Sequence, residues 1–521
     1  MTQPAVTVRP LPFGAEGFHR LARACRGRPH CVFLDSRLAD SPLSRRSYLA
    51  FDPVAVARVH GRVTRIDWWP GRVEEHRGNA FAILRRLLRP HRVDAAALPP
   101  PADDGFPGGL AGYLGYGLRH QVEALPARAV DDQGIAQAVL GLYNFAVVLS
   151  HGEDRVFLTH FAPQAPCPHP DAQALEALLL AALDEAPSPA GAAPALVEPS
   201  PVTALIGPGP ATAPVGPGPV VETSLPRQAY LEAVGRIREY ILAGDIYQAN
   251  LTQRFRVPLA GRCPWGLYER LMALNPAPFS AYLDCGDAQI LSSSPERFLA
   301  VAGDRVETRP IKGTVRRGAS LAEDRELRRW LGQSAKNRAE LAMIVDLMRN
   351  DLGRVCRTGS VRVGPFPEIE TYASVHHLVA SVTGQLRPEA DVFDLLGATF
   401  PGGSITGAPK IRAMEIIDAL EPVERGVYTG SIGYVGINGA SDWNIAIRTL
   451  VVAGDAVTVG AGGGIVMDSD PAEEYEESLL KAGNLLRALG LGEAVPADTV
   501  DGAGAPGRDV ERKEACHARL A

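Results

Sequence analysis

The stretch from residue 186 to 220 most limits how this chain folds, because it consists mostly of alanine, proline, glycine and valine. Such a composition buries too few large side chains to offset the entropy lost on ordering. We therefore predict a linker or disordered loop over 185–222 between two regular parts. The predicted division is an α/β region over 5–162, a Pro/Ala/Gly-rich linker over 163–222 with one helix near Ala174–Leu183, a second regular region over 223–491, and a polar tail over 492–521.

Composition and charge exclude several classes of protein. Hydrophobic residues make up 46% of the chain and charged residues 21%, as in a globular protein with a sizeable core. The net charge of −6 provides no global positive field for nucleic acid or an anionic membrane surface. The seven cysteines are never spaced C-x-x-C, and the simplest interpretation is that they are thiols in a reduced compartment. Neither a signal-peptide pattern nor an apolar run of about 18 residues is present. We expect a cytoplasmic protein that binds neither nucleic acid nor membranes.

Acidic residues on two predicted helices form a candidate metal site. Apolar residues from Leu341 to Met348 have the spacing of an amphipathic helix, and Glu340 lies at the edge of that stripe. A second helix is predicted to follow Asp470 and carries Glu474 and Glu477 about one turn apart. Carboxylates on facing helices suit Mg²⁺, which binds one or two of them directly and keeps several waters. The alternative is that an acidic first turn only complements the helix dipole.

Two glycine-containing segments are candidate anion sites. Gly460–Gly464 lacks large side chains, so its backbone N–H groups can approach an anion, although such a cluster is also typical of a tight turn. The segment 401–410 precedes a helix predicted over Ile411–Leu420, and it places Ser404 and Lys410 near a helix N-terminus. Neither segment has the G-x-G-x-x-G or G-x-x-x-x-G-K-[ST] spacing, which argues against nucleotide binding.

A lysine and a glutamate form a candidate catalytic pair. Lys312 lies between a proline and a glycine in the segment 309–314, and Glu296 follows three serines and a proline. Burial can lower the pKa of a lysine until it acts as a nucleophile, and a buried glutamic acid can act as a general acid. The alternatives are a solvated basic loop with Arg316 and Arg317, and a plain ion pair between Glu296 and its neighbouring arginine.

Three further residues carry groups that are costly to bury without a partner. His376 and His377 are consecutive, so in a strand only one of them faces a given side, and a structural role is open for each. Arg448 lies in a largely apolar strand pattern over 443–450. A guanidinium there requires an anion, which is either a protein carboxylate or a substrate.

Together these segments resemble the chorismate-utilising enzyme family, which includes anthranilate synthase component I, aminodeoxychorismate synthase component I, and the isochorismate and salicylate synthases. The resemblance covers most of 225–488 in chain order, through Gly244–Leu251, Ser292–Phe298, Pro310–Thr314, Lys336–Asp351, His376–Leu378, Phe400–Asp418, Tyr428–Gly436, Ile447–Thr449 and Gly462–Glu477.

Two positions distinguish the branches of this family. Anthranilate synthases resemble P-I-A-G-T at one loop, whereas aminodeoxychorismate synthases carry P-I-K-G-T, as this chain does at Lys312. Isochorismate-forming members have a water-activating lysine where this chain has Gln248. The resemblance therefore implies amination of chorismate at C4 to 4-amino-4-deoxychorismate, a precursor of 4-aminobenzoate and folate.

The resemblance also implies a magnesium-dependent mechanism. Mg²⁺ held by Glu340 and Glu477, with Glu474 nearby, would bind the ring carboxylate of chorismate. Lys312 would attack C2 while Glu296 protonates the departing 4-hydroxyl, with His377 close by, and ammonia would then add at C4 and expel the lysine. The substrate-binding residues that the resemblance implies are Arg448, Tyr428, Ser404, Gly313, Thr314, Gly462, Gly463, Gly464, Lys410 and Gln248.

Ammonia has to come from another protein, because no part of the chain has a nucleophile-elbow cysteine followed by histidine and glutamate. The family pattern implies a separate glutamine amidotransferase subunit, component II. Two alternatives remain: an anthranilate synthase component I that carries a lysine, and an inactive amino-acid-binding subunit of the same fold. The joint presence of Glu296, Lys312, Glu340, Arg448 and Glu477 argues against the second, since an inactive site is free to lose such groups.

The resemblance in the amino-terminal part is sparser. The segments around Asp35, Ser36, Ser47 and Tyr48 are similar to a region that holds tryptophan in several family members. Tryptophan as a structural ligand, tryptophan as an inhibitor, and ordinary core packing all remain open. The fold that the resemblance implies is α/β, with two large antiparallel sheets packed as a sandwich, helices outside, and the two regions interleaved.

Overall fold

The computed structural model describes residues 5–38, 41–168, 171–185, 221–372 and 375–491. The linker predicted over 185–222 lies almost entirely outside these ranges, as does the predicted tail over 492–521. The helix predicted near Ala174–Leu183 is present and spans Ala172–Glu185.

The described part of the chain contains 11 α-helices, which are α1 Ala15–Cys25, α2 Ala80–Leu88, α3 Arg119–Val122, α4 Ala172–Glu185, α5 Arg227–Leu242, α6 Pro264–Leu274, α7 Leu321–Gln333, α8 Ala335–Gly353, α9 Val392–Thr399, α10 Lys410–Leu420 and α11 Pro471–Ala488. The same ranges contain 26 strands, which are β1 Val6–Leu11, β2 Val32–Asp35, β3 Arg46–Ala50, β4 Ala55–His60, β5 Val63–Trp68, β6 Arg72–Arg77, β7 Gly109–Leu114, β8 Ala138–Tyr143, β9 Phe145–Ser150, β10 Arg155–Phe161, β11 Glu222–Thr223, β12 Gln248–Pro258, β13 Phe279–Asp284, β14 Ala288–Ser294, β15 Arg297–Ala302, β16 Arg305–Arg309, β17 Ile311–Arg316, β18 Arg362–Val363, β19 Glu368–Thr371, β20 Val375–Val379, β21 Val382–Gln385, β22 Gly407–Ala408, β23 Ser431–Gly436, β24 Ser441–Asn444, β25 Thr449–Ala453 and β26 Ala456–Ile465.

The strands form two large sheets and one small one. The first large sheet has the order β1-β10-β9-β3-β2-β13-β14-β25-β26-β12-β11, with β22 paired to β12. The second has the order β18-β21-β16-β15-β24-β23-β7-β8-β4-β5-β6. The small sheet, β17-β20-β19, carries the segment around Lys312.

Strand alternation explains how the two large sheets pack. Neighbouring side chains of a strand point to opposite faces. On β25, Val451 therefore joins the buried cluster shared by both large sheets, whereas Leu450 and Val452 join the cluster on the other face of the first sheet. The shared cluster also contains Ala111 and Tyr434 from the second sheet. The sheets thus form a sandwich with a common apolar core.

The helices cover the outer faces of this sandwich. Apolar residues of α1, α4, α6 and α11 pack on the first sheet. Apolar residues of α2, α8 and α9 pack on the second sheet. None of the helices in the described ranges has the length and apolar character needed to cross a membrane.

Both large sheets contain strands from each side of the stretch 186–220. In the first sheet β2 pairs with β13, and in the second β7 pairs with β23. All of these pairings are antiparallel. The predicted fold, a sandwich of two large antiparallel sheets with helices outside, is therefore confirmed.

Candidate active site

Lys312 and Glu296 approach the same residue, Ser404. Lys312 lies on β17, where the pairing with β20 shifts register between Ile311 and Thr314. Such a bulge redirects side chains, and the Lys312 Nζ donates to the Ser404 carbonyl oxygen at 3.4 Å. Glu296 lies in the turn between β14 and β15 and interacts with the Ser404 side chain by a hydrogen bond. The predicted pair therefore converges at one point of the fold.

Burial shifts the pKa values of Glu296 and Lys312 in the directions that a general acid and an amine nucleophile require. Glu296 is only 6% exposed, and burial raises its pKa to about 7, against the opposing effects of the Ser404 hydrogen bond and the Lys312 charge. Burial lowers the pKa of Lys312, and the charges of Glu340 and Glu296 oppose that effect. Both the acid form of Glu296 and the neutral amine of Lys312 thus become easier to populate near neutral pH.

The charges of two further carboxylates, Glu340 and Glu477, act on Lys312, and Glu474 lies next to Glu477. Asp470 caps α11 by accepting from the N–H groups of Ala472 and Glu473, so the helix begins where Glu474 and Glu477 face β26. A Cβ built on Gly463 would lie 3.0 Å from Glu474 Oε2 and 3.8 Å from Glu477 Oε1, so both side chains occupy the space over that glycine. Glu340, half-buried on α8, faces the same region, because its charge acts on Lys312.

The carboxylates differ in their electrostatic state. Burial raises the pKa of Glu474, which accepts a hydrogen bond from the Ser469 hydroxyl at 2.7 Å. The Lys481 ammonium, 2.6 Å away, lowers the pKa of Glu477. Glu477 is therefore the more strongly ionised of the two near neutral pH, and it is the better ligand for a cation.

The donor set has the chemistry that Mg²⁺ prefers. Within the described ranges no group of three or more histidine, cysteine or acidic side chains is close enough to enclose a metal ion. Mg²⁺ does not need such a cage, because one or two carboxylates with waters and a substrate oxygen complete its octahedron. Glu340 and Glu477, whose charges act on Lys312, therefore stay the predicted ligands.

Lys481 is a site residue that the sequence reasoning missed. Its ammonium pairs with Glu477 and donates to the Gly462 carbonyl oxygen at 2.9 Å. The i, i+4 spacing from Glu477 on α11 is a signal that could have identified it. Its charge lies beside the carboxylates assigned to the metal and close to the predicted anion site.

The glycine segment 460–464 is part of strand β26 and not a tight turn. It pairs with β12 along one edge, with Gly464 opposite Asn250. On its other edge, pairing with β25 ends at the Leu450–Val459 pair. The Thr252 N–H donates to Glu421 and the Asn250 N–H to Thr406, so the backbone groups of their β26 partners Gly462 and Gly464 point away from β12, toward an edge where an anion can approach.

The ring of Tyr428 explains why residue 460 is a glycine. A side chain at Gly460 would overlap the Tyr428 ring, so this residue has to be glycine for the ring to lie against the strand. Burial raises the pKa of Tyr428, which keeps its hydroxyl protonated. A protonated phenol can donate a hydrogen bond to a carboxylate.

Arg448 lies just before β25, not inside a strand as predicted. Its φ is 51°, a left-handed conformation that turns the chain between β24 and β25. Its Nη1 donates to the Asn275 side-chain oxygen at 3.0 Å, and no acidic partner is found for it among the described residues. Burial lowers its pKa. The half-buried guanidinium therefore retains capacity for an anionic ligand.

The two histidines have different roles in the small sheet. His377 is buried and its Nδ1 is 2.7 Å from the Thr314 hydroxyl. Burial and the Arg448 charge lower the pKa of His377 to about 3, so its ring is neutral. His376 contacts Thr371 and Asp324 on the opposite face, which is a structural role. Gly313, at φ 83° and packed against the Asn337 side chain, completes the bulge beside Lys312.

Two predicted substrate-binding residues have other partners. The Lys410 ammonium donates to Asp351 at 2.5 Å, to the Thr399 carbonyl at 2.7 Å and to the Pro401 carbonyl at 3.0 Å. These contacts use all of its donors, so we correct its assignment to a structural one. Gln248 is buried, donates weakly to Asn250 at 3.4 Å and keeps an unpartnered Oε1.

The residues predicted for a tryptophan pocket divide between two places. Asp35 is buried and accepts from His19, Arg37 and Tyr268. The Ser36 N–H donates to the Ser47 hydroxyl at 2.9 Å. Tyr48 points to the other face of β3, because neighbouring residues of a strand alternate, and packs against Phe106 and Tyr434 between the sheets. Tyr48 therefore belongs to the core, and a tryptophan site at the other three residues stays a prediction.

Comparisons with known proteins identify the family of this chain. The model of the chorismate binding enzyme family matches residues 34–487. Aminodeoxychorismate synthase component 1 of Escherichia coli is 37% identical, over 88% of this chain and 93% of the relative. Anthranilate synthase component 1 of Streptomyces coelicolor is 38% identical, over 91% of this chain and 92% of the relative. The crystal structure of anthranilate synthase component I from Streptococcus pneumoniae superposes with a TM-score of 0.70 at 31% identity, covering 86% of this chain and 93% of the other. The chain belongs to the chorismate binding enzyme family.

Proposed function

We propose that this chain aminates chorismate at C4 to give 4-amino-4-deoxychorismate, as component 1 of an aminodeoxychorismate synthase. The observation that carries the proposal is Lys312, whose amine lies beside Ser404 and whose pKa is lowered by burial. A lysine in this position can form a covalent bond to C2, which keeps ammonia from adding there. Relatives named aminodeoxychorismate synthase component 1 from Escherichia coli and from Bacillus subtilis support the same assignment.

The first step is a substitution with allylic shift. The neutral amine of Lys312 forms a bond to C2 as the C4–oxygen bond breaks. Glu296 donates its proton to the departing hydroxyl, which leaves as water. The lysine nitrogen then gives up one proton and remains a secondary amine on the ring. The raised pKa of Glu296, about 7, leaves a large acid fraction at neutral pH.

The second step reverses the shift. Ammonia forms a bond to C4, the bond between C2 and the Lys312 nitrogen breaks, and the lysine takes a proton and is released. The net reaction consumes chorismate and ammonia and yields 4-amino-4-deoxychorismate and water. We assign the contact with the departing hydroxyl to His377, which is neutral and lies beside Thr314, so it would add no second positive charge.

Chorismate is a dianion, so its two carboxylates need separate partners. We assign the enolpyruvyl carboxylate to Arg448, Tyr428 and the backbone of Gly462 and Gly464. A guanidinium with no acidic partner among the described residues supports this assignment. Mg²⁺ bound by Glu340 and Glu477 would neutralise the ring carboxylate and polarise the ring.

Ammonia would come from a separate glutamine amidotransferase subunit, in keeping with relatives that are named component 1. We place the reaction in the cytoplasm, where the free cysteines of the described residues would stay reduced. A tryptophan ligand near Asp35 and Ser36 remains a secondary proposal.

Anthranilate synthesis is the second candidate, favoured by the Streptomyces coelicolor relative at 38% identity. Incubating the purified chain with chorismate, Mg²⁺ and ammonium, followed by mass and ultraviolet spectra of the product, separates the two. We expect 4-amino-4-deoxychorismate. Anthranilate as the sole product would overturn the proposal, as would no turnover with ammonium and with an added amidotransferase subunit.

A further inference from the structure

A buried ion pair contacts Ile405, the residue that follows Ser404, and Ser404 links Lys312 with Glu296. The side chains of Arg425 and Glu421 are 2% and 5% exposed, and they pair at 2.7 Å. Glu421 ends α10, and Arg425 lies in the loop before β23. A buried ion pair is weak evidence for stability, because desolvation offsets the attraction between the charges. The presence of this ion pair therefore has to be explained by something other than stability.

The Arg425 guanidinium joins four separate segments of the chain. Besides its two bonds to Glu421, it donates to the Ile405 carbonyl at 3.0 Å, the Asn250 carbonyl at 2.8 Å and the Thr429 hydroxyl at 3.4 Å. All three of its nitrogens are therefore used. A lysine could not reproduce this planar fork, because an ammonium is a point charge with three donors.

These contacts continue to the catalytic pair through Asn250 and Ser404. The Asn250 side-chain N–H donates to the Ser404 carbonyl at 2.8 Å, the same oxygen that accepts from Lys312. Ile405, held by Arg425, follows Ser404 in the chain. Thr429, which Arg425 also contacts, follows Tyr428. The ion pair is thus connected to Lys312 through Asn250 and Ser404, and to Tyr428 through Thr429.

We propose that Arg425, fixed by Glu421, is a positioning residue that holds Ser404 and Asn250 so that Lys312 reaches C2 of the substrate. This inference rests on the proposed function and adds to it the residue that orients the nucleophile. The hydrogen bonds of Arg425 go to Glu421, Ile405, Asn250 and Thr429 and not to Lys312 or Glu296, so we assign it no contact with the reacting atoms. Misplacement of a reacting group by about 1 Å can lower a rate on the order of 100-fold.

Arg119 provides a matched control for this proposal. Its side chain is also 2% exposed, and it pairs with the buried Asp418 at 3.1 Å. Arg119 and Arg425 lie on the same ring, with guanidinium carbons 4.7 Å and 4.6 Å from the centre of Tyr116. Arg119 contacts Glu424 and Asp418 and none of the segments around Ser404. The two arginines therefore share burial and stacking but differ in their link to the catalytic pair.

The test compares kcat and product composition for Arg425→Lys and Arg119→Lys, with ammonium as the nitrogen source. We expect Arg425→Lys to lower kcat on the order of 100-fold and to release anthranilate, because ammonia then reaches C2 when Lys312 does not. Arg119→Lys should lower the midpoint of urea unfolding but leave the product unchanged and kcat within about twofold.

Asn250→Ala makes the test independent of the stability of the ion pair. It removes the bond to the Ser404 carbonyl and leaves Arg425 and Glu421 paired, so it decides the question if Arg425→Lys does not fold. Wild-type kcat and product in the folded variants would overturn the positioning role. A wild-type chain that forms only anthranilate would instead overturn the proposed function, and the comparison of kcat between the two arginine variants would still decide the role of Arg425.

Discussion

Glu296 and Lys312 are linked through one residue, Ser404, which interacts with the glutamate by its side chain and accepts from the lysine Nζ at 3.4 Å. The acid and the nucleophile thereby meet at the same short segment, which is what a substitution that combines attack by an amine with protonation of a departing hydroxyl requires.

Removing the amine of Lys312 should change the product. In Lys312→Ala the covalent route is closed, so we expect the rate of 4-amino-4-deoxychorismate formation to fall at least 100-fold and anthranilate to appear. Lys312→Arg is the matched variant, because it keeps the positive charge but cannot deprotonate, and it should not restore the product. Mass spectrometry of the product mixture measures both, and an unchanged product and rate would remove the lysine from the mechanism.

The raised pKa of Glu296 predicts how stability depends on pH. The buried side chain binds its proton more tightly than it does in the unfolded chain, with pKa values of about 7 and 4.5. Its contribution to the free energy of unfolding therefore falls as the pH rises from about 5 to 8. Glu296→Gln removes this dependence, and we expect the variant to gain on the order of 2–3 kcal/mol relative to wild type between these two pH values.

Urea unfolding of wild type and Glu296→Gln at pH 5 and pH 8 measures this difference, and activity provides a second readout. The loss of a general acid should lower kcat by about 10²- to 10⁴-fold. A gain in stability that does not depend on pH would show that Glu296 is not buried as an acid.

Metal binding should depend on Glu340 and Glu477. Replacement of either by glutamine leaves the fold but removes a charged oxygen ligand, so the Mg²⁺-dependent activity should be lost. The same variants should no longer gain thermal stability from added Mg²⁺ in the presence of chorismate. Glu476→Gln is the control, since this exposed neighbour of Glu477 lies on another face of α11. A Mg²⁺ response retained in Glu477→Gln would exclude that residue as a ligand.

Gly460 should tolerate no side chain. A methyl group at this position would overlap the Tyr428 ring, so Gly460→Ala is expected to displace the tyrosine and raise the KM for chorismate about tenfold or more. Gly483→Ala is the matched control, because a Cβ there meets nothing within 4 Å and lies on helix α11, where alanine is favoured by about 1 kcal/mol. Steady-state kinetics of both variants would reveal whether Tyr428 is needed, and an unchanged KM in Gly460→Ala would argue that it is not.

Lys410 should behave as a structural residue. Lys410→Met leaves Asp351 buried without its cation, which typically costs about 3–5 kcal/mol of stability. Adding Asp351→Leu to this variant should recover much of the loss, because an apolar pair of similar volume needs no compensation. Unfolding midpoints and KM values test this assignment. A double variant that is stable but has a greatly raised KM would return Lys410 to the substrate site.

Much of the site could be anticipated because its chemistry is local in sequence. Lys312 between proline and glycine, Glu296 after three serines, and the paired carboxylates of α11 are each recognisable from a short segment. Lys481 could have been included by the i, i+4 spacing from Glu477. The two large antiparallel sheets were expected from the family resemblance, whereas the alternation of apolar residues depends only on neighbours and indicated no more than individual strands.

The sequence by itself determined which reactive groups the chain carries and where most of its helices lie, but it did not place Arg448 outside a strand or Gly460–Gly464 inside one. Only the tertiary structure decided which of those groups meet. Lys410 looked like Lys312 in sequence, yet its ammonium is used by Asp351 and two carbonyls, while Lys312 reaches Ser404. No short sequence pattern marks Arg425, because its partners Asn250 and Ile405 are 175 and 20 residues away in the chain. Local propensity cannot specify such contacts, because partners distant in the chain are brought together by the packing of the two sheets and their helices.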